Sequence, residues 1–340
     1  MPIRTTAPLC GLLLAVLMPS AQAEDELLAN PQLDAFITTV AKRHAIDRPT
    51  LVSLFSQARF EPKVIDAIKR PYEKKPWFKY RPLFVTETRI TQGAEFFQQY
   101  RSLLQQAQET YGVPAEIITA ILGIESRYGR YQGDYRVIDS LTTLGFNYPR
   151  RGAFFRKELE AFILLSHEEQ LNPLNIKGSY AGAIGQAQFI PSSYRHYAVD
   201  FDGDGVRDLS HSSADAIGSI ANYLARHGWQ RNAQIAHRVR FNGSDGYRHQ
   251  KGLKPKQTVG YWRAHHFDID STLPDTLKSA LIALKTESGY EYWLGLKNFY
   301  AITRYNHSPL YAMAVYQLSS KIKQRVMEKK AKETTMQQPL

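Results

Sequence analysis

Cysteine is almost absent from this sequence, since Cys10 is the only one among 340 residues. It lies near the start of an apolar run over residues 9–18, which follows the lone charge of Arg4 and precedes Ala21-Gln22-Ala23. This order is typical of a secretory signal peptide, so we expect cleavage after Ala23 and a mature chain without disulfides or thiol chemistry. The alternative is a lipoprotein acylated on Cys10, but Cys10 opens the apolar run instead of following it.

Long apolar runs and nucleic-acid-binding motifs are also missing. After the expected leader, no run approaches the roughly 18 residues that span a bilayer. We find no RNA-recognition, zinc-finger or helix-turn-helix signature. The chain carries 43 Lys and Arg against 32 Asp and Glu, a net charge of +11, which favours an anionic partner such as an acidic polymer or an envelope surface. Together with the expected export, these features predict a soluble periplasmic protein without a transmembrane segment.

One carboxylic acid stands on the apolar side of a predicted helix over residues 113–131, for which Gly129 offers a stop. The apolar residues that precede Glu125 at helical offsets are Ile118, Ile121 and Leu122. Partial burial disfavours a charged carboxylate and would raise the pKa of Glu125 toward the range of a general acid. The alternative is a structural ion pair between Glu125 and Arg127 or Arg130 at the helix end.

The stretch over residues 178–194, GSYAGAIGQAQFIPSSY, contains no charged side chain. Its three glycines would let the backbone approach a bulky ligand closely, and its Ser, Gln and Tyr residues supply neutral donors and acceptors. A neutral polar groove of this kind suits a carbohydrate. A tight crossing of two helices at the glycines is the alternative.

The segment over residues 200–208, DFDGDGVRD, has the spacing of a calcium-binding loop. The alternating carboxylates are Asp200, Asp202 and Asp204. Gly205 follows at the sixth position and the Val206 carbonyl at the seventh. At the twelfth position His211 replaces the expected bidentate Glu, and the nearest downstream carboxylate is Asp215. A solvated acidic turn is the alternative.

Two further segments lack the helical spacing of apolar residues that most of the chain shows. Residues 71–84 contain three prolines and five aromatic residues, which predict an ordered loop that either stacks on sugars or packs upon itself. Residues 230–271 alternate or cluster β-forming residues between Gly, Asn, Asp and Pro, which predicts a small strand-containing insertion, and a helical pattern returns over residues 277–287.

These motifs resemble the membrane-bound lytic murein transglycosylase B family of peptidoglycan-cleaving enzymes. The matching pieces are GIESRYG around Glu125, LGFNYPRR over 144–151, NIKGSYAGAIGQAQFIPSSY over 175–194, the loop that begins at Asp200, and NFYAITRYNHSPLYAMAV over 298–315. Two departures stand out. The family typically carries a lipidated cysteine at its mature start, which is missing here, and it has a Tyr where Phe154 stands.

The resemblance implies an α+β fold that is mainly α-helical, with a lysozyme-like catalytic core, a flanking helical domain and a small β-containing domain. The expected bounds are a signal peptide over 1–23, a helical domain over 24–110, a core over 111–230 and 291–326, a β-containing insertion over 231–290, and a basic and polar tail over 327–340.

The resemblance also implies cleavage of the β-1,4 bond between N-acetylmuramic acid and N-acetylglucosamine, with 1,6-anhydro ends and Glu125 as acid and then base. The implied substrate-binding residues are Ser179, Gln188, Tyr305, Asn306, Tyr80 and Tyr148. The implied ligands of a structural Ca²⁺ are Asp200, Asp202, Asp204, the Val206 carbonyl and, after one extra residue, Asp215. The implied partners are peptidoglycan glycan strands, with cell-wall synthesis or remodelling proteins as further candidates. A lysozyme-type hydrolase and a non-catalytic murein-binding scaffold are the alternative functions.

Overall fold

A computed structural model describes residues 30–70, 74–243 and 252–336. The expected leader, with Cys10 and Ala23, lies outside the described residues, as do positions 71–73 of the predicted loop and 337–340 of the predicted tail. Among the described helices, none combines the length and apolar character that a membrane span requires.

The described residues form mostly helices, joined by short connections. The helices are α1 Pro31–His44, α2 Arg48–Ser56, α3 Pro62–Ile68, α4 Trp77–Phe84, α5 Glu87–Gln99, α6 Arg101–Tyr111, α7 Ala115–Ser126, α8 Val137–Asn147, α9 Gly152–Glu168, α10 Pro191–Tyr197, α11 Ser213–Arg226, α12 Val259–Ala264, α13 Lys297–Tyr305 and α14 Pro309–Met336. The strands are β1 Tyr135–Arg136, β2 Lys177–Gly178, β3 Ala236–Phe241, β4 Gln257–Thr258, β5 Phe267–Asp268, β6 Lys278–Lys285 and β7 Tyr290–Gly295.

The chain divides into two compact units after Phe60. The first described unit consists of α1 and α2, each of which begins with a side-chain cap and a proline in its first turn. Asn30 accepts a hydrogen bond from the Gln32 N–H, and Asp47 accepts one from the Thr50 N–H. Such caps satisfy backbone donors that have no partner inside the helix, which fixes where both helices start.

The second unit is organised around α7, which packs against α5, α6, α11 and α14. Ten of its twelve residues are buried, as expected of a helix that is apolar on all sides. The predicted stripe is confirmed, because Ile118, Ile121 and Leu122 have no exposed surface. Glu125, which is half-buried, precedes the last residue of this helix, so a mostly buried helix carries it.

A five-stranded antiparallel sheet forms the small β-containing part, with the strand order β4-β6-β7-β3-β5. One of its faces and α12 enclose an apolar cluster. The cluster consists of Val239, Val259, Trp262, Phe267, Ile269, Leu273, Leu281, Tyr292 and Leu294. This sheet confirms the predicted change to β structure, although β7 runs from Tyr290 to Gly295 and therefore crosses the expected boundary at 290/291.

Several expectations about secondary structure are wrong. Residues 277–287, expected to be helical, contain strand β6, because pairing with β4 and β7 supplies its backbone hydrogen bonds. Residues 77–84 form helix α4 although Pro82 lies inside it. Burial of Trp77 and Tyr80 outweighs the backbone hydrogen bond that Pro82 cannot make. The last helix is expected to end near Val326, but α14 continues through residues 327–336. In addition, α5 and α6, over residues 87–111, pack on α7, so packing does not stop at the expected boundary at 110.

Candidate active site

Glu125 is held by a tyrosine from the far end of the chain. The Tyr311 hydroxyl donates a hydrogen bond to Glu125 Oε1 at 2.5 Å. Tyr311 lies in the first turn of α14 and is only 2% exposed. Because the donor is itself buried and fixed in a helix, this short hydrogen bond fixes the direction of the Glu125 carboxyl group.

A second tyrosine lies parallel to the first. The ring centroids of Tyr305 and Tyr311 are 6.3 Å apart with an interplanar angle of 8°, and the Tyr305 hydroxyl donates to the Ala187 carbonyl at 2.5 Å. Burial, followed by the nearby charge of Glu125, raises the pKa of both phenols well above the usual value. Both hydroxyls are therefore neutral donors at physiological pH.

The turn that follows Glu125 has an unusual backbone. Helix α7 ends at Ser126 rather than at the predicted stop, Gly129. Arg127, Tyr128 and Gly129 all have positive φ angles, of 52°, 62° and 82°. For Arg127 and Tyr128 this conformation costs about 1 kcal/mol or more each, so the surrounding structure must impose it.

The neutral stretch over residues 178–190 folds as a series of tight turns with two isolated β-bridges. These glycines lie in turns and not in a helix, although Gly182 packs against the Leu141 side chain of α8. A Cβ atom on Gly178 would overlap the Ala183 carbonyl, and one on Gly185, which has a φ of +74°, would overlap the Leu209 carbonyl. The alternative of a helix crossing is therefore wrong, and the space that these two glycines leave is filled by protein backbone.

Within these turns, Ser179 and Gln188 bind backbone groups. The Ser179 hydroxyl oxygen accepts hydrogen bonds from the Ala181 and Ala183 N–H groups. The Gln188 side-chain amide donates to the Gln132 and Gly185 carbonyls, each at 2.9 Å. Both side chains thus shape the turn that brings Ala187 to Tyr305, and contact with a sugar stays a prediction for each.

The other predicted substrate residues occupy different surroundings. Tyr80 is 1% exposed on α4, within electrostatic range of Tyr311, whose pKa it raises. Asn306 follows Tyr305 and accepts a hydrogen bond from the Ser308 N–H at its backbone carbonyl. Tyr148 is half-buried after α8, where its carbonyl accepts from the Arg151 N–H. Tyr80 and Asn306 therefore belong to the surroundings of the Tyr305–Tyr311 pair.

Three other carboxylates in the described part of the chain are buried, and each has structural partners. Asp139 accepts two hydrogen bonds from the Arg136 guanidinium. Glu158 accepts from the backbone and the hydroxyl of Ser192 at the start of α10. Asp215 accepts from two backbone N–H groups. These partners account for their burial without a catalytic role.

The predicted calcium loop gathers three carboxylates. Oxygens of Asp200, Asp202 and Asp204 lie within 4.8 Å of one another, which suits the oxygen ligands of Ca²⁺. Asp215 is not one of this group, since its oxygens accept hydrogen bonds from the Phe201 and Asp208 N–H groups at 2.7 Å. The donor set therefore fits a calcium ion, and Asp215 holds both ends of the loop together.

Sequence reasoning missed Tyr311 as a site residue. It lies within the motif over 298–315, but α13 ends at Tyr305 and α14 starts at Pro309, so no single helical period relates Tyr305 to Tyr311.

A cavity of about 790 Å³ in the small sheet, lined in part by Arg238, Arg240 and Glu291, contains none of the candidate site residues.

A family model described as the transglycosylase SLT domain matches residues 29–320. A curated relative, the membrane-bound lytic murein transglycosylase B of Escherichia coli strain K12, is 41% identical over 333 residues, which cover 94% of this chain and 90% of the relative.

Solved structures agree with this match. The lytic transglycosylase Slt35 of Escherichia coli in complex with calcium has a TM-score of 0.81 and 41% identity, and the match covers 88% of this chain and 95% of that one. SltB3 of Pseudomonas aeruginosa in complex with NAG-anhNAM-pentapeptide has a TM-score of 0.75 and 31% identity, with coverage of 89% and 80%. The fold is therefore lysozyme-like, mainly helical with small antiparallel sheets.

Proposed function

The chain belongs to the transglycosylase SLT domain family and is a peptidoglycan lytic transglycosylase, and we propose that Glu125 is the general acid and then the general base of its reaction. The observation that carries this proposal is the hydrogen bond from Tyr311 to Glu125 at the half-buried end of α7. A single acid that is oriented by a neutral donor can give a proton and remain stabilised as the carboxylate that results.

In the proposed reaction, Glu125 protonates the glycosidic oxygen as the bond between this oxygen and C1 of N-acetylmuramic acid breaks. The carboxylate then takes the proton of the 6-hydroxyl of the same sugar while that oxygen bonds to C1. The 1,6-anhydro ring forms, no water is added, and Glu125 is restored to its acid form. Because the nucleophile is tethered to the reacting sugar, its high effective concentration replaces the second carboxylate that most glycosidases use.

The substrate groove is proposed to include Ser179, Gln188, Tyr305, Asn306 and Tyr148, with Tyr80 supporting it from behind. Tyr305 and Asn306 would orient the N-acetyl group beside the reacting carbon. The solved complex of SltB3 with an anhydro-muramic product supports this reaction for a relative of the same fold.

Mass spectrometry of digested peptidoglycan tests the proposed reaction. We expect muropeptides whose terminal muramic acid is one water lighter than a reducing end, in the absence of any added reductant. Reducing-end products would instead support a lysozyme-type hydrolase that uses water. Wild-type protein that binds peptidoglycan without releasing muropeptides would support the scaffold alternative.

Calcium is proposed to bind Asp200, Asp202, Asp204 and the Val206 carbonyl, and to stabilise the fold. The calcium complex of Slt35 supports binding in a relative, and the clustered carboxylates here repel one another unless a cation neutralises them. We expect a chelator to lower the melting temperature by several degrees and added Ca²⁺ to restore it. Equal melting curves with chelator and with calcium, measured by calorimetry, would contradict a bound ion, and Asp202→Asn should reduce the difference.

The protein is proposed to act in the periplasm, where its peptidoglycan substrate lies. The basic net charge of +11 suits an anionic envelope. Proteins of cell-wall synthesis or remodelling are the proposed partners, and N-terminal sequencing of protein from the periplasmic fraction tests the expected cleavage after Ala23.

A further inference from the structure

A half-buried arginine, Arg89, lies behind the catalytic helix. The Arg89 guanidinium donates from Nε to the Gly123 carbonyl at 2.9 Å, two residues before Glu125. It also donates to the carbonyls of Leu83 and Phe84 at the end of α4, at 2.7 and 3.1 Å. Among the described residues no carboxylate pairs with it. Its charge is therefore balanced by the carbonyl ends of two helices, where a cation is stabilised.

The unusual turn after Glu125 explains why Gly123 needs this partner. In a continuing helix the Gly123 carbonyl would accept the N–H of Arg127. Here the N–H groups of Arg127 and Tyr128 both reach back to the Leu122 carbonyl. The Gly123 carbonyl, two residues before the catalytic acid, thus accepts from Arg89 instead. Without this donor the buried carbonyl would be unpaired, which is costly.

Tyr128 completes the connection from the other side. Its side chain is 8% exposed, and its hydroxyl donates to the Arg89 carbonyl at 2.6 Å. A Cβ atom on either Gly93 of α5 or Gly123 of α7 would lie 2.5 Å from this hydroxyl. Both glycines therefore make room for the phenol, which locks the left-handed turn against α5.

We propose that Arg89 and Tyr128 are positioning residues that fix the direction in which the Glu125 carboxyl group points from the end of α7. This inference rests on the proposed role of Glu125. Arg89 sets where the last turn of the helix lies, and Tyr128 holds the strained turn that follows it. Helix α4 carries Tyr80, which lies near Tyr311. By binding the end of α4 as well as α7, Arg89 therefore also connects the surroundings of the Tyr311 hydroxyl to the helix that bears the acid.

The test compares Tyr128→Phe, Arg89→Lys and Arg89→Met in the full-length protein. A displaced acid should lower kcat while KM for peptidoglycan stays within about twofold. We expect kcat to fall about tenfold in Tyr128→Phe and about 100-fold in Arg89→Met. Arg89→Lys should recover part of this loss, since lysine keeps the charge but cannot reach both helix ends at once.

The matched control is Arg325→Met. Arg325 also ties α5 to a neighbouring helix, through Thr91 and Glu87, but it does not touch the turn after Glu125. We expect it to change the melting temperature and to leave kcat within about twofold.

Assays well below each melting temperature separate positioning from stability. Wild-type kcat in folded Tyr128→Phe and Arg89→Lys overturns the proposal, as does a loss that disappears on cooling. A loss of kcat in the Arg325→Met control equal to that in Arg89→Met overturns it too. If Glu125→Gln itself remains active, the assignment of Glu125 as the acid is wrong. Failure of that assignment can therefore be distinguished from failure of the positioning proposal.

Discussion

Replacement of Glu125 by glutamine should lower the turnover of peptidoglycan by about a thousandfold while binding to the glycan persists. Glutamine has nearly the same shape, and its carbonyl oxygen can still accept the Tyr311 hydrogen bond seen at Oε1, so the site should keep its geometry. What glutamine lacks is a proton to give to the leaving oxygen and a carboxylate to take one back. Rates of anhydro-muropeptide release and co-sedimentation with insoluble peptidoglycan provide the two measurements.

The chain offers a matched control on the same helix. Glu116 lies in the first turn of α7 and pairs with Lys323 at 2.8 Å. Glu116→Gln should leave turnover within about twofold, because only a surface ion pair is lost. Turnover near the wild-type level in Glu125→Gln would refute the assignment, and equal losses in both variants would indicate damage to α7 rather than lost acid catalysis.

Removal of the Tyr311 hydroxyl should have the second-largest effect. In Tyr311→Phe the ring remains, but Glu125 Oε1 loses its 2.5 Å donor. An oxygen left without this partner in a buried site costs about 1–3 kcal/mol. If that cost falls on the transition state, kcat decreases about 10- to 100-fold. We expect KM to change little, since the hydroxyl is buried beneath the site.

The pH dependence of this variant gives an independent check. Burial and the charge of Glu125 raise the pKa of Tyr311 well above its ordinary value, so the phenol keeps its proton and remains a donor through about pH 9. The ratio of wild-type to Tyr311→Phe activity should therefore be constant from about pH 6 to 9. A ratio that falls toward one in this range would show that the phenol ionises and is not the donor. Tyr292→Phe, at a buried tyrosine of the small sheet, serves as the control for loss of a hydroxyl.

The part of the site that depends on local pattern was predictable from the sequence. The spacing of Ile118, Ile121 and Leu122 placed Glu125 on the apolar face of its helix, and in the structure these three residues are buried and Glu125 is half-buried. The alternating aspartates from Asp200 predicted a carboxylate cluster, which is also present. In both cases, residues close in the sequence determine where the side chains lie, through the helical repeat for Glu125 and through the spacing of the loop for the aspartates.

The part that depends on distant packing was not predictable. Nothing local distinguishes Tyr311 from other tyrosines, because its partner Glu125 comes from another helix. Residues 77–84 look like a loop by composition, yet α4 forms since tertiary burial of Trp77 and Tyr80 overrides the proline. The glycines Gly178 and Gly185 signal that space is needed, but their spacing does not reveal that a carbonyl of the same chain fills it.

The hydrogen bond between Glu125 and Tyr311 joins residues 186 positions apart, and this separation bears on how the enzyme is made. A ribosome must translate almost the whole chain before the pair can form, and contacts of such long range also close late during folding. A truncated or prematurely released product would contain all of α7 and still lack the donor. We therefore expect incomplete molecules to cleave peptidoglycan at least as slowly as Tyr311→Phe.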